Sequence, residues 1–226
     1  MRMRGVFVAG AKPLIRTDTG FIKFKNVSLS SEDVIQLLVL LRQKSKLANT
    51  PLDEAGMFSF GIKRLGKFSV EYLQQRGSIV VFLRRMRDKI PDLREIIQSQ
   101  EFLNILVHLL GENGLFVITG NRQILNTTVA ASILSYLSTK KSGIIYTLEK
   151  PQTHLLKHSK AIFIQREVGT DVSSFHEGIS HALSINVDVL YLNDVPDELT
   201  LSGVMRAVER GGTVILTFSL QAFHMH

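Results

Sequence analysis

The sequence predicts an α/β chain in two parts: a mixed α/β or α+β unit over residues 1–90, then a parallel sheet flanked by helices over 91–226. Three observations carry that expectation. Short apolar runs bounded by turn residues, Leu115 to Ile118, Ile144 to Tyr146, Val189 to Leu192 and Val214 to Leu216, have the pattern of strands buried on both faces, as in parallel sheets. From Leu115 onward strands and helices alternate, the pattern of a crossover-connected sheet. The first part instead holds Met57 to Phe60, Lys67 to Leu73 and Ser78 to Leu83, separated by Gly61, Gly66 and Gly77, which reads as an antiparallel set.

Taken in order, strands near Gly5 to Val8 and Phe21 to Phe24 open the chain. A helix follows, with Ser30 as N-cap, Asp33 at the third helical position, and Val34, Leu37, Leu38 and Leu41 on one face. Such amphipathic stretches are core faces more often than membrane anchors. Ile90-Pro91-Asp92 marks the boundary between the parts, because proline disfavours helix before it and suits the first helical turn after it. Helical patterns around Leu93 to Ile97 and Glu101 to Leu110 lead through Gly111 to Gly114 into a strand, Leu115 to Thr119, and a helix from Thr128 to Leu137.

Between that strand and helix lies the most informative stretch, Gly120-Asn121-Arg122-Gln123-Ile124-Leu125-Asn126-Thr127-Thr128. A phosphate-binding loop of the G-x-x-x-x-G-K-[ST] type needs Gly at Leu125 and Lys at Asn126. Glycines let backbone amides converge on the phosphates, and the ammonium group engages the β- and γ-phosphates. Here Ile124 and Leu125 are expected to crowd the phosphate space, Asn126 is short and uncharged, and Thr127 alone keeps a role as Mg²⁺ ligand. Losing two charge-assisted bonds of about 1.5–3 kcal/mol each lowers affinity by roughly two to four orders of magnitude.

The flanking motifs are co-linear with a known family. Gln165-Arg166-Glu167-Val168-Gly169, with Asp171 and Ser174-Phe175, is its most specific segment; Ala9-Gly10 with Pro13 and Arg16, Phe58-Ser59-Phe60, and Gln75-Arg76-Gly77 are weaker echoes. From about Val6 to Leu220 the chain resembles the PilT-type ATPases of the type II/type IV secretion superfamily, the hexameric motors of type IV pili. The resemblance implies a PAS-like N-terminal domain followed by a truncated RecA-like P-loop NTPase domain. It also implies that both ends are clipped, without the helix that precedes the first strand or the C-terminal helical region, a loss that argues against force generation.

The same resemblance places the catalytic boxes. The acidic box falls on Thr147 to Thr153, where Glu149 remains but the adjacent acid is Lys150 and the later glutamate is Thr153. Walker B falls on Val187 to Asp194, with Asn193 at the family's glycine and Asp194 at its glutamate; Ser219 takes the place of the histidine-box histidine, and Ser180 and Ser184 those of arginines. The implied nucleotide site is therefore vestigial, at Gly120, Asn126, Thr127, Thr128, Glu149, Asp194 and Ser219, with no catalytic residue and no cofactor expected. Lys150 is expected to neutralise Glu149 or Asp194 rather than leave a poised base.

Composition bounds the rest. Zero cysteines exclude a disulfide framework and thiolate chemistry, and no apolar run approaches the ~18 residues that span a bilayer. There is no signal-peptide pattern, so the cytoplasm is the expected location, with the cytoplasmic face of the inner membrane as a variant. Net charge is +7, concentrated early: residues 1–110 carry 18 Lys+Arg against 10 Asp+Glu, and residues 111–226 carry 9 against 10. The basic surface expected from this comprises Lys63, Arg64, Lys67, Arg84, Arg85, Arg87 and Lys89, with Arg76 and Arg84 matching family arginines that reach toward nucleotide. His154 and His158, and His224 and His226, lack carboxylates at ligand spacing, so no metal is expected.

The function these observations imply is that of a catalytically inactive PilT-like protein, an interaction or regulatory component of a type IV pilus, type II secretion or gliding apparatus. Its partner would be an active motor paralogue or a membrane-platform protein, and a monomer or dimer is expected in place of a hexamer. Two alternatives stand beside it: a weak or partner-completed ATPase using Glu149 and Asp194, and a basic-surface binder of nucleic acid or anionic lipid. The absence of aromatics interleaved in Arg84 to Lys89 disfavours nucleic acid.

Overall fold

The computed structural model describes residues 4–17, 20–23, 27–45, 54–86 and 89–219, without the side chains of residues 124 and 219. The expected Phe24, Arg87, His224 and His226 lie outside the described residues. The chain divides into two compact units, Met1–Met86 and Arg87–His226, where the sequence placed the boundary at 90/91.

Among its described residues the first unit is a six-stranded antiparallel sheet with one helix. Its strands are β1 (Arg4–Val8), β2 (Leu14–Thr17), β3 (Gly20–Lys23), β4 (Ala55–Ile62), β5 (Gly66–Gln75) and β6 (Ser78–Arg85), in the order β3-β2-β1-β6-β5-β4. Helix α1 (Ser31–Gln43) begins with the expected capping box, in which Ser30 and Asp33 bond each other's backbone. Its Val34 and Leu38 pack on Phe58, Phe60, Val70, Tyr72 and Val81, which share one face of the sheet. Strand β2 is an element the sequence reading did not single out.

The second unit is a five-stranded, all-parallel sheet in the order β7 (Gly114–Gly120), β11 (Thr213–Ser219), β10 (Val189–Leu192), β8 (Gly143–Glu149), β9 (Ala161–Glu167). Helices α2 (Leu93–Ile96), α3 (Gln100–Leu109) and α4 (Gln123–Lys140) contribute to one core around Leu134, Ile145 and Ile215. Helices α5 (Phe175–Ser184) and α6 (Glu198–Glu209) close a second core around Leu148, Ile179 and Leu216. Side chains of neighbouring strand positions enter both cores, as expected of strands covered on both faces.

One expectation is corrected here. The stretch read as an open loop from Gly120 to Thr127 is already helical at Gln123, since the amides of Leu125 and Asn126 donate to the Arg122 carbonyl at 2.8 and 3.3 Å. Without a glycine at Leu125 the chain has no reason to leave the α region, so the helix starts early.

Candidate functional site

In a parallel sheet of this kind ligands bind beyond the carboxyl ends of the strands. Those ends bring together Gly120 of β7, Glu149 of β8, Asn193 and Asp194 after β10, Ser219 of β11 and the start of α4. All the positions expected from the sequence for a nucleotide site therefore converge at one edge of the second unit. A cavity of about 460 Å³ lies at the opposite end, lined by Lys141, Asp188 and Arg210 among others.

What these residues do there differs from what a phosphate site requires. Asn126, at the lysine position, is 5% exposed and turns its amide nitrogen onto the carbonyls of Gly120, at 3.3 Å, and Phe218, at 2.5 Å. It thereby ties the end of β7 to the end of β11. A Cβ at Gly120 would stand 2.8 Å from the Asn126 side-chain oxygen, so the small residue there serves this packing. Gln123 Nε2 donates to the Asn193 carbonyl at 2.8 Å, fastening the first turn of α4 to the β10 end. Leu125 points outward, 47% exposed. Thr127 and Thr128 are buried.

The acidic box is closed in a similar way. Glu149 is 2% exposed, and its Oε2 accepts from the Thr153 amide at 3.0 Å and the Thr153 hydroxyl at 2.8 Å. Because the Thr153 hydroxyl donates to Glu149, its oxygen accepts from His154 Nδ1–H at 3.0 Å, and His154 Nε2 lies 3.5 Å from the Thr128 hydroxyl. Lys150, expected to neutralise Glu149 or Asp194, is exposed, as Asp194 is, and Thr153 bonds Glu149. Asn193 accepts from the Lys150 amide at 2.8 Å and donates to the Pro151 carbonyl at 3.0 Å. Asp194 is exposed and accepts from the Val195 amide at 2.9 Å.

Two further residues, which the sequence reading quoted without a role there, belong to the site. Tyr191, buried on β10, bonds Thr217 at 3.2 Å, and its phenol is held well above its ordinary range by burial first and by the Glu149 carboxylate second. Glu167, 1% exposed and in register with Glu149, accepts from the Gln152 amide at 3.1 Å. The polar half of β9 gave no local signal of either partner. Among the described residues no group of three or more His, Asp or Glu side chains could hold a metal ion.

Of the basic residues expected at the surface, Lys63, Arg64 and Arg85 are exposed, Lys67 and Arg84 are half-buried on the first unit's sheet, and Lys89 is exposed in the second unit. Among the described residues no helix is long and apolar enough to cross a membrane.

A strand ending in glycine, a helix beginning behind it, and an acidic residue at the end of a parallel neighbour are compatible with the P-loop NTPase fold, and the relatives of the chain support that fold. No family profile matches the chain. Over 211 residues it is 27% identical to the type IV pilus retraction ATPase PilT of Pseudomonas aeruginosa, covering 92% of this chain and 60% of that protein. It is 24% identical over 209 residues to the type IV pilus ATPase PilU of the same organism, covering 92% and 54%. A crystal structure of the pilus retraction motor PilT with bound ADP superposes with a TM-score of 0.80 at 30% identity, over 96% of this chain and 63% of that one. The homologues of this chain are PilT-type ATPases of the secretion superfamily, and it spans little more than half the length of these curated relatives.

Proposed function

We propose that this chain is a PilT-like protein whose nucleotide site no longer runs an ATP cycle, and that it serves a type IV pilus, type II secretion or gliding apparatus through protein contacts. The observation that carries this reading is Asn126. Where the ATPase motif places an ammonium group toward phosphate, an amide is locked onto the Gly120 and Phe218 carbonyls. Gln123, Thr153 and Asn193 use their polar groups on neighbouring protein groups at the same edge. The first unit is the counterpart of a PAS-like domain in this reading. The partner is an active motor paralogue or a membrane-platform protein, met as a monomer or dimer in the cytoplasm or at its membrane face.

The test is calorimetric titration of the full chain with Mg·ATP and with Mg·ADP at protein concentrations that detect high-micromolar affinity. No binding heat is expected; saturable binding with either nucleotide overturns the reading. A second reading, a weak or partner-completed ATPase, draws support from Glu149, which remains at the end of β8, and from relatives that are ATPases. Phosphate release abolished by Glu149→Gln would establish it.

A further inference from the structure

The first unit alone carries 15 Lys+Arg against 6 Asp+Glu, so the whole positive excess of the chain belongs to it. The sheet concentrates that charge at one end. Strands β2 and β4 finish there, β3 and β5 start there, and the register runs Phe21, Arg16, Arg4, Arg84 across four neighbouring strands on one face. Like charges directly opposite one another across strands destabilise a sheet, yet three arginines stand in one row. On the described part of this face Glu71 is the one acidic side chain, 3.9 Å from Arg4. At the same end the β4–β5 turn projects Lys63, Arg64 and Leu65, with Lys67 next along β5.

Two apolar side chains are exposed among these charges. Leu65, at the tip of the turn, is 55% exposed, and Phe21, one residue into β3, is 63% exposed. A rim of cations with apolar groups beside them matches the chemistry of an anionic bilayer surface, where cations meet headgroups and apolar side chains enter the acyl boundary. Single-stranded nucleic acid fits less well. It would need several open aromatic faces for its bases, and on the described part of this face the Phe82 ring lies under the Arg4 guanidinium at 5.1 Å, which leaves Phe21, itself beside Arg16 at 5.5 Å, as a single exposed ring.

We infer that this end of the first unit's sheet is a docking surface for a membrane rich in anionic lipid. The surface is made of first-unit residues alone, and its test does not involve nucleotide. The full chain is sedimented with vesicles of phosphatidylcholine alone and with vesicles containing about a third phosphatidylglycerol. Binding is expected only to the anionic vesicles and is expected to weaken with salt. Lys63→Gln combined with Arg64→Asn, the latter a residue that tolerates the positive φ of 70° at that position, should lower partitioning by roughly 25-fold, about fivefold per charge. Leu65→Ser should lower it as well, while the exposed Lys157→Gln in the second unit should not. Absence of binding to anionic vesicles at low salt, or an equal loss with Lys157→Gln, overturns the proposal. So does preferential binding of a single-stranded oligonucleotide, which would make this a nucleic-acid surface.

Discussion

Asn126 shows how a single side chain can tie two strand ends together. In place of a long cation reaching outward, a short amide satisfies two strand-end carbonyls in a buried setting. Asn126→Ala withdraws that donor from both, and a cost of about 1–3 kcal/mol is expected in urea unfolding. Asn126→Lys alone should not restore Mg·ATP binding in calorimetry, because Leu125 still occupies the glycine position and the amides of Leu125 and Asn126 remain on the Arg122 carbonyl. Tyr191 gives the residue scale a pH signature. Its phenol titrates higher in the folded state than in the unfolded chain, so the native state holds its proton above the ordinary tyrosine range. That contribution to stability is fully present below about pH 10 and is lost as pH rises through the folded value. Tyr191→Phe, compared with the parent chain in denaturant unfolding from pH 8 to 11, should flatten the alkaline fall in stability.

At the scale of elements, helix α5 lies against β8 so closely that a Cβ on Gly178 would overlap the side chain of Leu148, which is fully buried. Gly178→Ala is therefore expected to destabilise by about 1–3 kcal/mol in urea unfolding despite its better helix propensity, the cost of overpacking a filled core. The elements also show what a reader of the sequence could and could not find. Helix α1 was legible because its capping box and apolar face are local. The early start of α4 was not, because its N-cap, Arg122, makes no side-chain capping bond and leaves no start signal. Strand β9 is apolar only in its first half; Gln165 and Arg166 are held by the Leu156 amide, the His154 carbonyl and the Tyr146 hydroxyl, contacts that exist only once the fold has formed. Helix α5 did carry a readable signature in Ser174-Phe175-His176-Glu177, and Ser174 does accept from the Glu177 amide. At the site, the substituted positions were visible in the sequence, but the bonds from Asn126, Thr153 and Asn193 were not.

On the scale of the whole chain, the apolar cores and the substituted site draw on different residues. The two cores of the second unit are built from Leu93, Leu134, Ile145, Leu148, Ile179, Leu216 and their neighbours. Leu125, Asn126, Lys150 and Asn193 are not among them and meet them only at the strand ends, as where the Asn193 amide donates to the Leu148 carbonyl at 3.2 Å. Hydrophobic burial dominates folding energetics, so substitutions confined to the carboxyl edge of the sheet leave that driving force in place. This is the physical reason a fold similar to PilT at a TM-score of 0.80 coexists with Leu125 and Asn126 where the phosphate-binding pattern has glycine and lysine. The cores are also separable by unit: every residue of these two lies beyond residue 89, and every residue of the third lies before residue 84. Residues 87–226 expressed alone should therefore unfold in one cooperative transition and keep the near-ultraviolet circular dichroism of a buried Tyr191. A fragment that instead binds hydrophobic dye and melts without a transition would show that its two cores do not suffice, and that the second unit needs the first in order to fold.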